Sequence, residues 1–167
     1  QERPGRQNEH RTQLWCRAGR GRMALTRALT STDHPDVLPL YDVLDGASRD
    51  PAAYHAILDH PGTTIFGSFD GARLCAMVTL HILPNMTQGG RPYALIENVV
   101  THAEHRGVGH GRQVMEAAVS AAWAADCYKI MLLTGRTAQA RGFYEALGFS
   151  ADEKWGMTLR RAPLRQS

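Results

Sequence analysis

The run from Ile96 to Arg112, Ile96-Glu97-Asn98-Val99-Val100-Thr101-His102-Ala103-Glu104-His105-Arg106-Gly107-Val108-Gly109-His110-Gly111-Arg112, constrains this chain more than any other feature. Its first half is dense in β-branched residues and reads as the end of a strand over 93–101. Its second half sets Gly107, Gly109 and Gly111 at the opening of a helical pattern, roughly Gly109–Ala125, in which Val114, Ala118 and Ala122 recur at i+4, as do Met115, Val119 and Trp123. Alternating glycines let successive backbone N–H groups converge on one point, and a helix N-terminus adds partial positive charge. Such a nest takes phosphate or pyrophosphate, and Arg106 and Arg112 bracket it. A nucleoside-triphosphate loop needs Gly-Lys, and the chain contains no such pair. A dinucleotide turn needs GxGxxG within a longer parallel array, whereas the neighbouring segments here read as hairpins. Tight packing at a helix start, with no ligand, is the plain alternative.

The flanking chain alternates strand-like and helix-like segments. Leu25–Leu29 is a short strand. Asp33 or Asp36 caps a helix with Val37, Leu38, Tyr41 and Leu44 on one side, ending near Gly46. Asp50-Pro51 starts a second helix through Leu58, and Pro61-Gly62 stops it. Thr63–Phe69 and Arg73–Leu83 form a hairpin about Asp70-Gly71, with Leu74, Ala76, Val78, Leu80 and Ile82 alternating. Residues 84–92 are a Gly-containing loop. Cys127–Thr134 reads as a buried strand, Thr137–Leu147 as a helix closed by Gly148, and Lys154–Arg161 as a last strand. The expected fold is α+β, a mostly antiparallel sheet flanked by helices with one strand–helix–strand unit over 93–134.

Length and composition bound the rest. A chain of 167 residues, 43% apolar and 21% charged, is one globular domain of ordinary size. Cys16, Cys75 and Cys127 are odd in number and form no CxxC pair, which excludes a disulfide scaffold and suits a reducing cytoplasm. Residues 1–22 hold six arginines against Glu2 and Glu9, leaving 13 basic and 14 acidic side chains in residues 23–167. The near-neutral body argues against a nucleic-acid-binding domain. Residues 1–22 read either as an extension without a fold of its own or as a basic arm for nucleic acid or anionic lipid. Residues 23–161 are the expected domain and 162–167 a tail. No apolar stretch is long enough to span a membrane.

At Arg106-Gly107-Val108-Gly109-His110-Gly111 the sequence resembles the R-x-x-G-x-G/A signature of the GNAT acetyltransferase superfamily. Ile96–Val100 is similar to that superfamily's fourth strand, and Ala140-Arg141-Gly142-Phe143-Tyr144-Glu145-Ala146-Leu147-Gly148-Phe149 to its A-x-x-F-Y-E-x-x-G-F run. The resemblance implies acetyl-CoA as co-substrate. Its pyrophosphate would lie on Arg106, Gly107, Val108, Gly109, His110, Gly111 and Arg112. Its pantetheine arm would meet Val99, Val100 and Thr101, with Thr137, Ala140 and Phe143 as further contacts. Within the superfamily, Cys127–Ile130 followed by Phe143-Tyr144 is similar to glucosamine-phosphate N-acetyltransferases, although Thr137 replaces their usual asparagine.

Acyl transfer to an amine needs the amine neutral, and an alkylammonium is only on the order of one part in a thousand neutral at pH 7. Glu97, beside the loop, is the candidate base or acceptor-ammonium ligand. Tyr144 is the candidate acid, with a phenol pKa of about 10 suited to a departing thiolate. The amides of Val99 and Val100 serve only if freed from sheet pairing, which predicts a splayed or bulged strand there. The acceptor is expected to be a small polar or anionic amine bound by Glu97 with Arg91 or Arg160, the latter by resemblance. No metal is expected, because His102, His105 and His110 match no zinc spacing and read as loop polarity. A homodimer is a further expectation. The alternative function is a module of the same fold that binds acyl-CoA without turnover.

Overall fold

The structure is a computed structural model that describes residues 14–17, 23–44 and 48–161. The chain divides into two compact units, Gln1–Leu132 and Leu133–Ser167. The first is built on a six-stranded sheet in sequential order: β1 (Leu14–Arg17), β2 (Met23–Ala28), β3 (Thr63–Asp70), β4 (Arg73–Leu83), β5 (Tyr93–Thr101) and β6 (Ile130–Leu132). Every neighbouring pair is antiparallel except β5 and β6, which are parallel and joined through helix α3 (His110–Ala124). The expected strand–helix–strand unit is therefore present. Helix α1 (His34–Leu44) packs on β4 and β5, α2 (Pro51–Leu58) on β3, and α3 on β2 through β5.

Cover on both faces changes the meaning of the β4 pattern. The alternation in the sequence predicts one buried face, but every residue from Leu74 to Leu80 is buried. Val37, Leu40, Tyr54, Ile65, Met77 and Val100 share one core cluster beneath α1 and α2. In α3, Val114, Ala118 and Ala122 are fully buried, whereas Trp123 is 53% exposed. Each i+4 step over-rotates by about 40°, so a row that starts off-centre leaves the interface within two turns.

The cap before α1 differs from expectation. Thr30 is the N-cap of a 3₁₀ turn, Ser31–Asp33, and Asp33 is its capping-box partner, accepting from the Thr30 amide at 2.7 Å. Asp33 also takes both guanidinium nitrogens of Arg27, at 2.8 and 2.6 Å. The Arg27 hydrogen bond holds the Asp33 carboxyl below its usual range, against the opposing effect of burial. Its folded pKa is depressed, so its stabilisation is present above the unfolded value of about 3.9 and is lost as pH falls through the lower folded value. Asp33→Ala is expected to destabilise the fold by roughly 2–3 kcal/mol, read by denaturant unfolding at pH 7, and by far less at pH 2.

Three further expectations change. Within residues 1–22, Leu14–Arg17 pair with β2, because its outer edge offers free backbone groups to an apolar segment. The strand expected over 127–134 is only Ile130–Leu132. The strand expected over 154–161 is absent among the described residues. Trp155, Met157 and Leu159 alternate as a strand would but are 96%, 91% and 100% exposed. Alternation suits a strand, yet only a hydrogen-bonded neighbour makes one.

In the second unit, α4 (Ala138–Glu145) starts at Thr137, whose side chain accepts from the Ala140 amide. It ends in a Schellman motif, with the Phe149 amide on the Tyr144 carbonyl and the Gly148 amide on that of Glu145. Gly148 has φ +90°, as that cap requires. Residues 162–167 lie outside the described residues.

Candidate active site

The site begins with an irregularity in β5. Thr79 pairs with Glu97 and Met77 with Val100, so Asn98 and Val99 together oppose Val78 alone. This β-bulge puts Asn98 at φ +53°, a left-handed conformation that asparagine tolerates better than most residues. On the other edge, pairing between β5 and β6 ends at Ile96 with Leu132. From Glu97 onward that edge has no ladder partner among the described residues. The distortion expected at Val99 and Val100 is thus present. Val100 is buried, while Glu97 and Val99 are half-buried.

Beyond Thr101 a 3₁₀ turn, Ala103–His105, leads into the glycine loop. Gly107 has φ +76° and Gly109, the N-cap of α3, has φ +102°. A Cβ at either position would meet nothing within 4 Å. Open space is therefore not what glycine supplies there; it supplies a backbone course costly for other residues. The first intrahelical bond runs from the Gln113 amide to the Gly109 carbonyl, and no side chain caps α3. The amides of His110, Gly111 and Arg112 are therefore left for an external acceptor. Arg106 is exposed, its Nε donating to the Thr101 carbonyl at 3.3 Å, and Arg112 lies 3.7 Å from Glu116.

The reading of the loop histidines as polarity fails for His110, whose side chain is 3% exposed. It occupies the first helical position, on the stripe of α3 that packs on the sheet, and its Nδ1 lies 2.8 Å from Ser68 Oγ. For anion binding it offers its backbone amide alone. Arg91 is engaged too: it donates to the Asp126 carboxylate at 2.8 Å and to the Asp126 carbonyl at 3.2 Å.

Two residues without a sequence signal join Glu97. His81 lies two positions along β4 from Thr79, on the same face, and Glu97 acts on it electrostatically. Burial, followed by nearby His60, holds the His81 pKa below its usual value, with Glu97 opposing. Tyr41 of α1 reaches toward Thr79, and burial raises its pKa. Tyr41 also lines a cavity of about 140 Å³ between α1 and α2, with His34, Val37, Ala53, Tyr54 and Ile57. His34 Nε2 and Tyr41 Oη are buried without a hydrogen-bond partner. Only the strand register and helix packing show this grouping.

In the second unit, the Tyr144 ring lies against Phe143, centroids 5.1 Å apart, and Phe149, at 6.2 Å. Thr137 is the helix cap, Ala140 is half-buried, and Arg160 lies in an exposed, irregular segment. Arg141 pairs with Glu145 at 2.6 Å and Asp152 at 3.3 Å.

The strand–bulge–glycine-loop–helix arrangement lies inside a family match: residues 25–149 fit the model of the acetyltransferase (GNAT) family. The chain belongs to that family. Glucosamine 6-phosphate N-acetyltransferase of Trypanosoma brucei brucei is 33% identical over 92 residues, covering 55% of this chain and 61% of that relative. The chain thus spans about three fifths of the curated relative's length. Among solved structures, one named "Putative acetyltransferase from Agrobacterium tumefaciens str. C58" is 43% identical with a TM-score of 0.77, over 81% of this chain and 99% of that one. A Trypanosoma brucei acetyltransferase is 26% identical with a TM-score of 0.72, over 82% and 99%. The GNAT family uses acetyl-CoA as co-substrate. No helix among the described residues is long and apolar enough to cross a membrane.

Proposed function

We propose that the chain is an acetyl-CoA-dependent N-acetyltransferase that acylates the primary amine of a small polar or anionic acceptor by direct attack. The observation that carries this reading is the bulge at Asn98–Val99, set between the Glu97 carboxylate and a glycine loop whose helix amides lack internal acceptors. Those amides and the Arg106 and Arg112 guanidiniums suit a pyrophosphate, because converging N–H dipoles and cations stabilise a concentrated negative charge. Val99, Val100 and Thr101 would take the pantetheine arm, and the resemblance adds Thr137, Ala140 and Phe143 as further contacts. Bound acetyl-CoA supplies the acetyl thioester.

The remaining chemistry belongs to side chains. A Glu97 carboxylate oxygen takes the proton that the acceptor ammonium must lose, directly or through water. Tyr144 Oη–H is the proton donor to the departing thiolate. The cavity between α1 and α2, with its unpaired His34 and Tyr41 atoms, offers the acceptor polar contacts. The similarity to a glucosamine 6-phosphate enzyme supports an amino sugar phosphate as first candidate. We further read the protein as a cytoplasmic homodimer.

The test is thiol release from acetyl-CoA across an amine panel: amino sugar phosphates, amino acids, spermidine and a histone-tail peptide. Turnover with small anionic amines is expected. Efficient use of spermidine or the peptide, with anionic amines inert, overturns the acceptor class. Tight acetyl-CoA binding without release for any amine favours the non-catalytic alternative.

The two arginines separate in this reading. Arg160→Ala is expected to raise the acceptor KM about tenfold or more, with acetyl-CoA affinity unchanged, since a charge-assisted bond contributes roughly 1.5–3 kcal/mol. Arg91, held by Asp126, is expected to show the smaller KM effect on replacement.

A further inference from the structure

A second cluster lies on the inner side of the glycine loop, and its chemistry differs from anion binding. Among the described residues, Cys75, His105 and His110 each offer a ligand atom, and these atoms lie within 4.8 Å of one another. We propose that Cys75, His105 and His110 form a zinc(II) site that fastens the β5–α3 loop to strand β4.

Cys75 reaches the cluster because of a second bulge. Ser68 pairs with Ala76 and Phe69 with Leu74, so Cys75 is the extra residue on β4. A bulge re-aims the side chain it displaces. The His102 amide donates to the Cys75 carbonyl at 2.8 Å, bringing the loop histidines to the same strand position.

His110 is set up by its neighbours. Ser68 donates its hydroxyl proton to Gln113 Oε1 at 2.8 Å, so toward His110 Ser68 Oγ is an acceptor. His110 Nδ1 therefore carries the proton and Nε2 presents its lone pair. An imidazole oriented through its other nitrogen by a buried polar chain is the usual arrangement of a metal-bound histidine. His105 adds the independent observation: its Nε2 is buried and has no hydrogen-bond partner.

The donor set is two imidazoles and one thiol, which suits zinc and excludes calcium and magnesium, whose ligands are oxygens. Bond lengths of about 2.0–2.1 Å to nitrogen and 2.3 Å to sulfur require ligand atoms some 3.3–3.6 Å apart, so any separation in the cluster closes by no more than about 1.5 Å on binding. The Cys75 S–H bond is exchanged for Zn–S and the proton goes to water. Three protein ligands leave one position for water. Asp70 lies near enough to Cys75 and His110 to offset the remaining positive charge, while Arg73 is occupied by Glu104 at 2.8 Å.

The site does not depend on the acetyl-transfer reading, and its test does not use activity. The metal-free full chain is titrated with cobalt(II), which takes zinc's tetrahedral geometry and is coloured. One cobalt per chain is expected, with a thiolate-to-metal charge-transfer band that one equivalent of zinc bleaches. Cys75→Ser should abolish the band, whereas Cys127→Ser should keep it. His105→Gln, at a half-buried position and checked for folding by circular dichroism, should weaken zinc binding by at least 10–100-fold. It should also remove the rise in Tm that zinc gives the parent. Absence of stoichiometric uptake by the folded parent, a band that survives Cys75→Ser, or unchanged affinity in His105→Gln overturns the proposal.

Discussion

Replacement of Tyr144 by phenylalanine is expected to lower kcat roughly 10²–10⁴-fold while leaving acetyl-CoA affinity within about twofold. The exchange removes one hydroxyl and keeps the ring, which packs edge-on against Phe143 and Phe149. Local packing is therefore preserved, and a fall in rate reports the proton rather than the fold. A donor is needed as the sulfur takes up charge, so its loss acts on the transition state more than on the bound ground state. Steady-state kinetics with calorimetry of acetyl-CoA binding separates the two. A kcat within a fewfold of the parent would remove Tyr144 from the mechanism. Glu97→Gln is the companion experiment: loss of the acidic limb of the pH–rate profile marks a base, whereas a raised acceptor KM alone marks a binding residue.

The second large effect is expected at Gly109. With φ +102°, this position lies where a side chain is strained, although a Cβ there would have nothing within 4 Å. Gly109→Val is therefore expected to move the loop rather than collide with the core, at a local cost of about 1–3 kcal/mol. Moving it turns the amides of His110, Gly111 and Arg112 away from a common focus. Acetyl-CoA affinity should fall at least tenfold by calorimetry, with circular dichroism unchanged. Affinity equal to the parent would take the pyrophosphate off this loop and with it the central support for the proposed function.

The legible parts of this protein were those set by short-range chemistry. Tyr93–Thr101 and the hairpin partners could be read because β-branched runs end at turn residues. Helix α3 could be read because its apolar residues recur every fourth position over fifteen residues, enough to average out exceptions. The glycine loop was legible because alternating glycines at the start of a helical pattern are a local signal, and the courses at Gly107 (φ +76°) and Gly109 (φ +102°) are ones glycine takes far more readily than other residues. Lys154–Arg161 misled for the converse reason: its alternation is local, but a strand needs a neighbour that sequence does not name.

The candidate site divides along the same line. Glu97 and the loop residues follow from their order along one continuous segment, and that order alone determined the strand–loop–helix frame. Which side chains meet across strands was decided by register, a property of pairing between distant segments. One extra residue at Asn98–Val99 opens β5 beside Glu97, and one at Cys75 turns a thiol toward two histidines from a later part of the chain. The first was expected only from what free amides at Val99 and Val100 would require and the second not at all, because a bulge exists only relative to a partner strand. His81, Tyr41 and the Cys75 cluster were accordingly invisible until tertiary structure fixed the register and laid α1 and α3 on the sheet.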